Sequence, residues 1–169
     1  MLEKLEQLPC FTQAKTILLY HSLSDEVHTH DFVEKWKERK TILLPVVAGN
    51  ELELRKYTGK QDLCVGSYGI EEPTGEIFTD FDQIDLGIIP GVSFDATGCR
   101  LGKGKGYYDR LLPKLNSFNV GICFTFQVSR EIPTETFDRR MDAVLTEEHF
   151  WEIRTAESRL IRNPEYNIK

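Results

Sequence analysis

Long apolar runs are missing from this sequence. None approaches the ~20 residues that a membrane-spanning helix needs. The first ten residues, MLEKLEQLPC, carry two glutamates and no sustained apolar stretch, so they do not read as a secretion signal. Cysteine is also scarce. Cys10, Cys64, Cys99 and Cys123 form no C-x-x-C pair and no framework of closely spaced pairs. Reduced thiols in a cytoplasmic protein are the expectation. Positive charge is outnumbered, with 21 Lys and Arg against 27 Asp and Glu, for a net charge of -6. Indiscriminate binding to nucleic acid or to an anionic membrane needs the opposite field, so neither partner is expected.

What is present suits one folded domain. The chain has 169 residues, 40% hydrophobic and 28% charged, enough for a single core. LEKLEQLPCF predicts a short helix stopped near Pro9. TILLYHSL is a short apolar run without a helical stripe and predicts a buried strand. SDEVHTHDFVEKWKERK predicts a helix capped at Thr29 or Asp31, with Phe32, Val33 and Trp36 on its apolar face. TILLPVV predicts a second strand, and the alternation in ELELRKY a half-exposed one. Residues 58–82 read as loop-rich, around SYGIEEPTGE. IDLGIIP, FNVGICFT and DAVLT predict three further buried strands, and GYYDRLLPKL a short helix. Residues 127–140 are mixed, and the segment from Glu147 reads as polar and partly helical. No repeat, low-complexity tract or interior linker divides the chain. Apolar strands alternating with helices imply a single α/β domain over residues 1–169: three layers, Rossmann-like, with a mainly parallel sheet flanked by helices. Ligands of such sheets bind beyond the carboxyl ends of the strands.

Just beyond the carboxyl end of IDLGIIP lies CRLGKGKGYYDRLL, residues 99–112. Between residues 95 and 110 the basic Arg100, Lys103, Lys105 and Arg110 meet the acidic Asp95 and Asp109. A local basic patch on an acidic protein suits a small specific anion. Gly98, Gly102, Gly104 and Gly106 free the backbone to aim successive amides at one anion. A helix starting near Tyr107 would add its positive end. Lys103 and Lys105 would supply mobile charges, and Arg100 could fork two phosphate oxygens. Asp109 could hold Mg²⁺ beside the phosphates. The spacing matches neither G-x-x-x-x-G-K-[ST] nor G-x-G-x-x-G. A flexible turn with solvated lysines is the plainer alternative. His21, His28 and His30 lie close in sequence, but no cysteine or carboxylate stands at a familiar zinc spacing beside them. No nucleophile elbow is present.

The longer stretch PGVSFDATGCRLGKGKGYYDRLL, residues 90–112, meets every defined position of P-G-x-x-F-D-x-x-G-x-R-L-G-x-G-x-G-Y-Y-D. In this it resembles the signature of the 5-formyltetrahydrofolate cyclo-ligase family, also called 5,10-methenyltetrahydrofolate synthetases. LLYHSLSDEVHT resembles the family's first strand and acidic turn. SYGIEEP resembles its aromatic-G-I-P-E-P stretch, with a glutamate in place of the first proline. TFDRRMDAVLTE resembles its H-D-x-x-x-D-x-V segment, with Phe137 where a histidine is frequent. The likeness covers roughly residues 10 to 147. Family members usually carry about one further helix ahead of this start, with a lysine and an arginine that reach ATP. Here that helix looks shortened or absent, and Lys4 stands too near the first strand to replace them.

The resemblance implies a reaction in which ATP phosphorylates the formyl oxygen of 5-formyltetrahydrofolate. The neighbouring amine then closes the ring, giving 5,10-methenyltetrahydrofolate, ADP and phosphate. It implies Arg100 and Lys105 as catalytic residues, and Arg100, Leu101, Gly102, Lys103, Gly104, Lys105, Gly106, Tyr107 and Tyr108 at ATP. It implies His21, Glu26, Tyr68, Lys103, Gly104, Lys105, Gly106 and Tyr107 at the folate. Asp109 and Asp138 match its magnesium aspartates. The partners would be these two small molecules, and the enzyme a monomer. Each position also has a plainer role: Asp109 as the ion-pair partner of Lys105, Glu26 as a charge near a helix start, Asp138 in a surface ion pair, and one of Tyr107 and Tyr108 in the core. A ligand-binding module without catalysis, or a sugar-phosphate isomerase or acyl-CoA transferase relative on a similar scaffold, are the competing classes.

Overall fold

The computed structural model describes residues 1–66, 69–135 and 138–153. Five parallel strands form the centre of its main sheet: β1 (Thr16–Leu18), β2 (Thr41–Ala48), β7 (Leu86–Pro90), β10 (Phe118–Ile122) and β12 (Ala143–Leu145). Their spatial order is β12-β10-β7-β1-β2. β3 (Glu51–Tyr57) and then β6 (Ile77–Phe78) extend the sheet antiparallel beyond β2, and β13 (Phe150–Glu152) does so beyond β12. Ile17 stands in register with Ile42 on one side and Leu86 on the other. β4 (Leu63–Val65) pairs with β5 (Glu71–Pro73), and β8 (Ser93–Asp95) lies between β9 (Arg100–Leu101) and β11 (Val128–Ser129).

Strand alternation gives the sheet two apolar faces. Ile17, Leu19, Ile42, Leu44, Ile88, Val120 and Ile122 pack against α1 (Leu2–Gln7), α2 (Pro9–Gln13) and α3 (His30–Trp36) through Leu5, Phe11, Phe32 and Val33. Leu18, Leu43, Ile89 and Val144 face the other way, onto Leu111, Leu112 and Leu115 in and just after α4 (Tyr107–Leu111). Helix, sheet and helix make the three expected layers. Each fully buried leucine or isoleucine contributes about 1.5–3 kcal/mol.

α1 stops at Gln7, just ahead of Pro9 as expected, and Pro9 then opens α2 at N1, where its missing N–H costs nothing. Within the segment 24–40 that was expected to be helical, α3 starts at His30 behind Thr29, one of the two expected caps, and the Thr29 side chain makes no capping bond to it. Thr29, fully buried, spends its hydroxyl on Tyr20 O, receives Ser22 N at 3.1 Å and gives its own N–H to Ser22 Oγ at 3.0 Å. Those bonds tie residues 20–22 to residue 29 and force 23–28 into a loop. The segment after Glu147 supplies β13, and residues from 154 lie outside those described. No helix among the described residues is long and apolar enough to cross a membrane.

The order of the five parallel strands reverses between β1 and β7, which opens a crevice at their carboxyl ends. Phe94 is wedged over the sheet beside it. A Cβ on Gly121 would lie 2.3 Å from the Phe94 ring, and one on Gly91 2.8 Å. We expect Gly121→Ala to lower the urea midpoint by about 1–3 kcal/mol equivalent through overpacking. Phe94→Leu in the same chain should recover part of the loss, since the clash is with the ring.

Candidate active site

Asp95 organises the loop that leaves the crevice. Its carboxylate is buried and accepts from Thr97 N and Thr97 Oγ1, both at 2.8 Å, from Cys99 N at 3.1 Å and from Ile132 N at 3.0 Å. Burial works to raise its pKa, but these donors outweigh it and hold the carboxyl below its ordinary value. The turn they fix delivers Arg100. That side chain is only 5% exposed. Its Nη1 donates to Pro90 O at 3.2 Å, its Nη2 to Asp109 Oδ1 at 2.9 Å, and its guanidinium lies 5.2 Å from the Tyr108 ring centre. Arg100 Nε is buried and has no partner among the described residues. Asp109 therefore pairs with Arg100, not with Lys105. Tyr108 packs against the second core and, chiefly through burial, has its phenol pKa pushed up.

Arg100, Gly102, Lys103, Lys105, Gly106, Tyr107 and Tyr108 form one wall of a cavity of about 400 Å³ in the crevice. Gly104 and Gly106 hold φ of 85° and 68°, left-handed values that let the loop curl over it. The opposite wall comes from the end of β1, the 23–26 turn and β5, with Tyr20, His21, Glu26, Glu71 and Glu72. Pro45, Val46 and Leu52 supply apolar surface. Lys103 is not a mobile charge. It reaches across to Asp25 at 2.9 Å and Glu26 at 3.4 Å. Burial opposes its charge, yet those carboxylates outweigh it and hold its pKa above the ordinary value. Glu26 also accepts Leu23 N at 2.9 Å, so it braces a turn and does not sit at the start of α3. Arg110 lies over Tyr107 at 5.3 Å and donates to Asn50 O and Lys105 O. The five-residue α4 has little dipole to offer an anion.

His21 stacks on His30, ring centres 3.6 Å apart and planes 8° from parallel. His28 lies 4.5 Å from His30. The Glu71 carboxylate is 3.6 Å from His21 Nε2. His30 Nε2 meets Ser22 O at 2.9 Å, so it carries the proton and donates. One ligand atom each from His21, His30 and Glu71 lie within 4.8 Å of one another. Face-to-face rings, however, keep their nitrogen lone pairs in parallel planes, whereas two imidazoles on a tetrahedral ion fan out from it.

Of the residues expected at a site, the structure thus gathers His21, Glu26, Arg100, Gly102, Lys103, Lys105, Gly106, Tyr107 and Tyr108 around one cavity. Leu101 is exposed in β9, Gly104 stands in the loop without lining the cavity, and Asp109 flanks it through Arg100. Asp138 accepts Glu135 N at 2.9 Å within its own turn, a backbone contact in place of the surface ion pair. Tyr68 lies outside the described residues. Asp25, Glu71, His30 and Asp95 were not among the expected site residues. The D of F-D in the signature stretch was the available clue to Asp95; nothing in the sequence pairs Glu71 with His21.

The family model described as the 5-formyltetrahydrofolate cyclo-ligase family matches residues 1–147. The chain belongs to that family. A probable 5-formyltetrahydrofolate cyclo-ligase of Schizosaccharomyces pombe is 36% identical over 162 residues, 84% of this chain and 79% of that one. The 5-formyltetrahydrofolate cyclo-ligase of Escherichia coli K12 is 32% identical over 154 residues, 85% of this chain and 84% of its own. The solved 5,10-methenyltetrahydrofolate synthetase of Aquifex aeolicus superposes with a TM-score of 0.81 at 35% identity, covering 98% of this chain and 84% of that one. The cyclo-ligase family is one of enzymes, and its fold is the α/β arrangement described above.

Acid should expose the role of Asp95. Its pKa is lower folded than unfolded, so the stability it contributes is complete above the unfolded value of about 4 and is lost as pH falls through the folded one. Urea unfolding between about pH 5 and 2 should show a steeper loss for the native chain than for Asp95→Asn. At pH 7, Asp95→Ala should cost about 2–4 kcal/mol by stranding buried donors.

Proposed function

We propose that the chain converts 5-formyltetrahydrofolate to 5,10-methenyltetrahydrofolate with MgATP, releasing ADP and phosphate, and that it does so as a monomer in the cytoplasm. One observation carries the reading. At the switch point of the sheet, a cavity of about 400 Å³ sets a cationic wall of Arg100, Lys103 and Lys105 against a wall holding Glu26 and His21. That volume suits a small ligand.

The formyl oxygen is a poor leaving group until phosphorylated. The amine nitrogen then attacks the formyl carbon and phosphate departs. The protein's task is to position the two substrates and to stabilise charge on the moving phosphoryl group. Lys105, with no side-chain partner among the described residues, is free to follow that charge. Lys103 and the amides of Gly102, Gly104 and Gly106 cradle phosphate, with Leu101 and Tyr108 backing the loop. Arg100 still offers its unpartnered Nε–H and one N–H on each terminal nitrogen; a phosphate oxygen would satisfy the buried one. Glu26 accepts from the pterin edge, while His21, Tyr68 and Tyr107 contact the folate.

Asp109, bonded to Arg100 beside the cavity, keeps a carboxylate oxygen without a hydrogen bond among the described residues, and Mg²⁺ beside phosphates takes one or two carboxylates. Asp138 also keeps one and would be the second ligand, but it bonds within its own turn and does not line the cavity. When bound, the ion would neutralise phosphate charge.

The test mixes purified protein with 5-formyltetrahydrofolate and MgATP and follows the near-ultraviolet absorbance of the methenyl product. Product should need both ATP and Mg²⁺. Lys105→Ala should lower kcat about 10²–10³-fold with the fold intact by circular dichroism. Ligand binding without any product would overturn the reading in favour of a binding module.

A further inference from the structure

Ring closure releases a proton, and among the described residues the cavity holds one group suited to take it. The attacking amine lone pair forms the bond to the formyl carbon. The carbon–oxygen bond breaks and its electron pair leaves with phosphate. The N–H proton of the attacking nitrogen must then go to a base. Lys103 and Lys105 are cationic, and Arg100 cannot accept. Tyr20 donates its hydroxyl to Val27 O. Glu26 is engaged by Leu23 N and Lys103. Glu71 and Glu72 are carboxylates, weak bases at neutral pH. An imidazole has the basicity for transfer near pH 7.

We propose that His21 is the base that accepts the amine proton during ring closure, with Glu71 and His30 setting its basicity from either side. The assignment rests on the reaction proposed above. His21 lines the cavity just past the carboxyl end of β1, at the reversal of strand order. Its Nε2 faces the Glu71 carboxylate at 3.6 Å, too long for a hydrogen bond but close enough to favour a proton on that side. With the proton on Nε2, Nδ1 carries the lone pair. His30 is held beneath it by the bond from its own Nε2 to Ser22 O, and the stacked rings cannot both carry charge at low cost. His28 adds a second ring to that side. The other charged groups around the cavity are Glu26, Glu72, Arg100, Lys103 and Lys105. Burial first, and then His30, lower the pKa of His21, while Glu71 opposes them. His21 is thus neutral at pH 7; its Nδ1 takes the amine proton and passes it to water, while the Nε2 proton stays toward Glu71.

The test is the pH profile of kcat for methenyl formation, against an enzyme-free blank, in the native protein and three variants. The native rate should fall on the acid side with one ionisation in the histidine range. His21→Leu should lose about 10²-fold or more in kcat and lose that ionisation. Glu71→Gln should move the acid limb down by about one pH unit, because the carboxylate that favours the proton is gone. His30→Gln, which keeps a donor for Ser22 O, should move it up. The opposite shifts carry the proposal even if His21→Leu folds poorly. Shifts in the same direction, or an unchanged limb in His21→Leu, would overturn it while leaving the reaction standing. No product from the native protein would overturn the reaction and this role together.

Discussion

Four hydrogen bonds converge on the Asp95 carboxylate, from three residues on two stretches of chain, and the cationic wall of the cavity stands on them. Thr97 and Cys99 close the turn, while Ile132 ties it to the segment that follows β11. An ionised carboxylate with 2% exposure persists only if its lone pairs are filled. Here they are, so the penalty of burial is offset and the turn has one geometry. Arg100 leaves that turn already aimed along Pro90 and over Tyr108. The glycines beyond it could curl in many ways, but both ends of their loop are fixed, by the Asp95 turn and by α4 against the second core.

The loop's charges are held by acids that an anionic ligand must displace or share. Lys103 bridges to Asp25 and Glu26, and Arg100 to Asp109. Exposed pairs such as Lys103–Asp25 contribute about 0–1 kcal/mol to stability. Their effect is positional. They draw a loop of like charges toward an acidic protein surface, keeping it ordered without making the pairs hard to exchange. Arg100 is different in kind: nearly buried and stacked, it is part of the wall and brings its remaining donors to the cavity in a fixed plane.

Much of this was legible in the sequence wherever a pattern is local. The five parallel strands were readable as apolar runs, because strands covered on both faces need no polar alternation. The signature stretch located the loop, and the strand preceding it located the crevice. The start of α3 behind Thr29 was readable, but not that the Thr29 hydroxyl is spent on Tyr20 and Ser22, contacts that a one-dimensional reading cannot see. β4, β5, β8, β9 and β11 are two or three residues long, too short for a period. Lys103 with Asp25 joins positions 78 apart, and His21 with Glu71 joins β1 to a strand hidden in a loop-rich segment. Such pairs follow from the order of strands in space, which local pattern does not carry.

The separation of charge across the cavity bears on the chemistry in a way neither wall would alone. Phosphoryl transfer gathers negative charge, and the wall of Arg100, Lys103 and Lys105 meets it. Ring closure frees a proton, and a neutral base set among cations would take it up reluctantly, because it would gain charge beside theirs. Across the cavity, His21 stands among groups of opposite tendency: Glu71 draws a proton in, and His30 pushes it off. A base flanked in this way holds a proton briefly, whereas one facing carboxylates alone would stay protonated and idle. On the proposed reaction, the switch point of the sheet does more than open a crevice. By bringing β1 and β7 out with their loops turned to opposite sides, it keeps the site of phosphate departure and the site of proton departure on different walls.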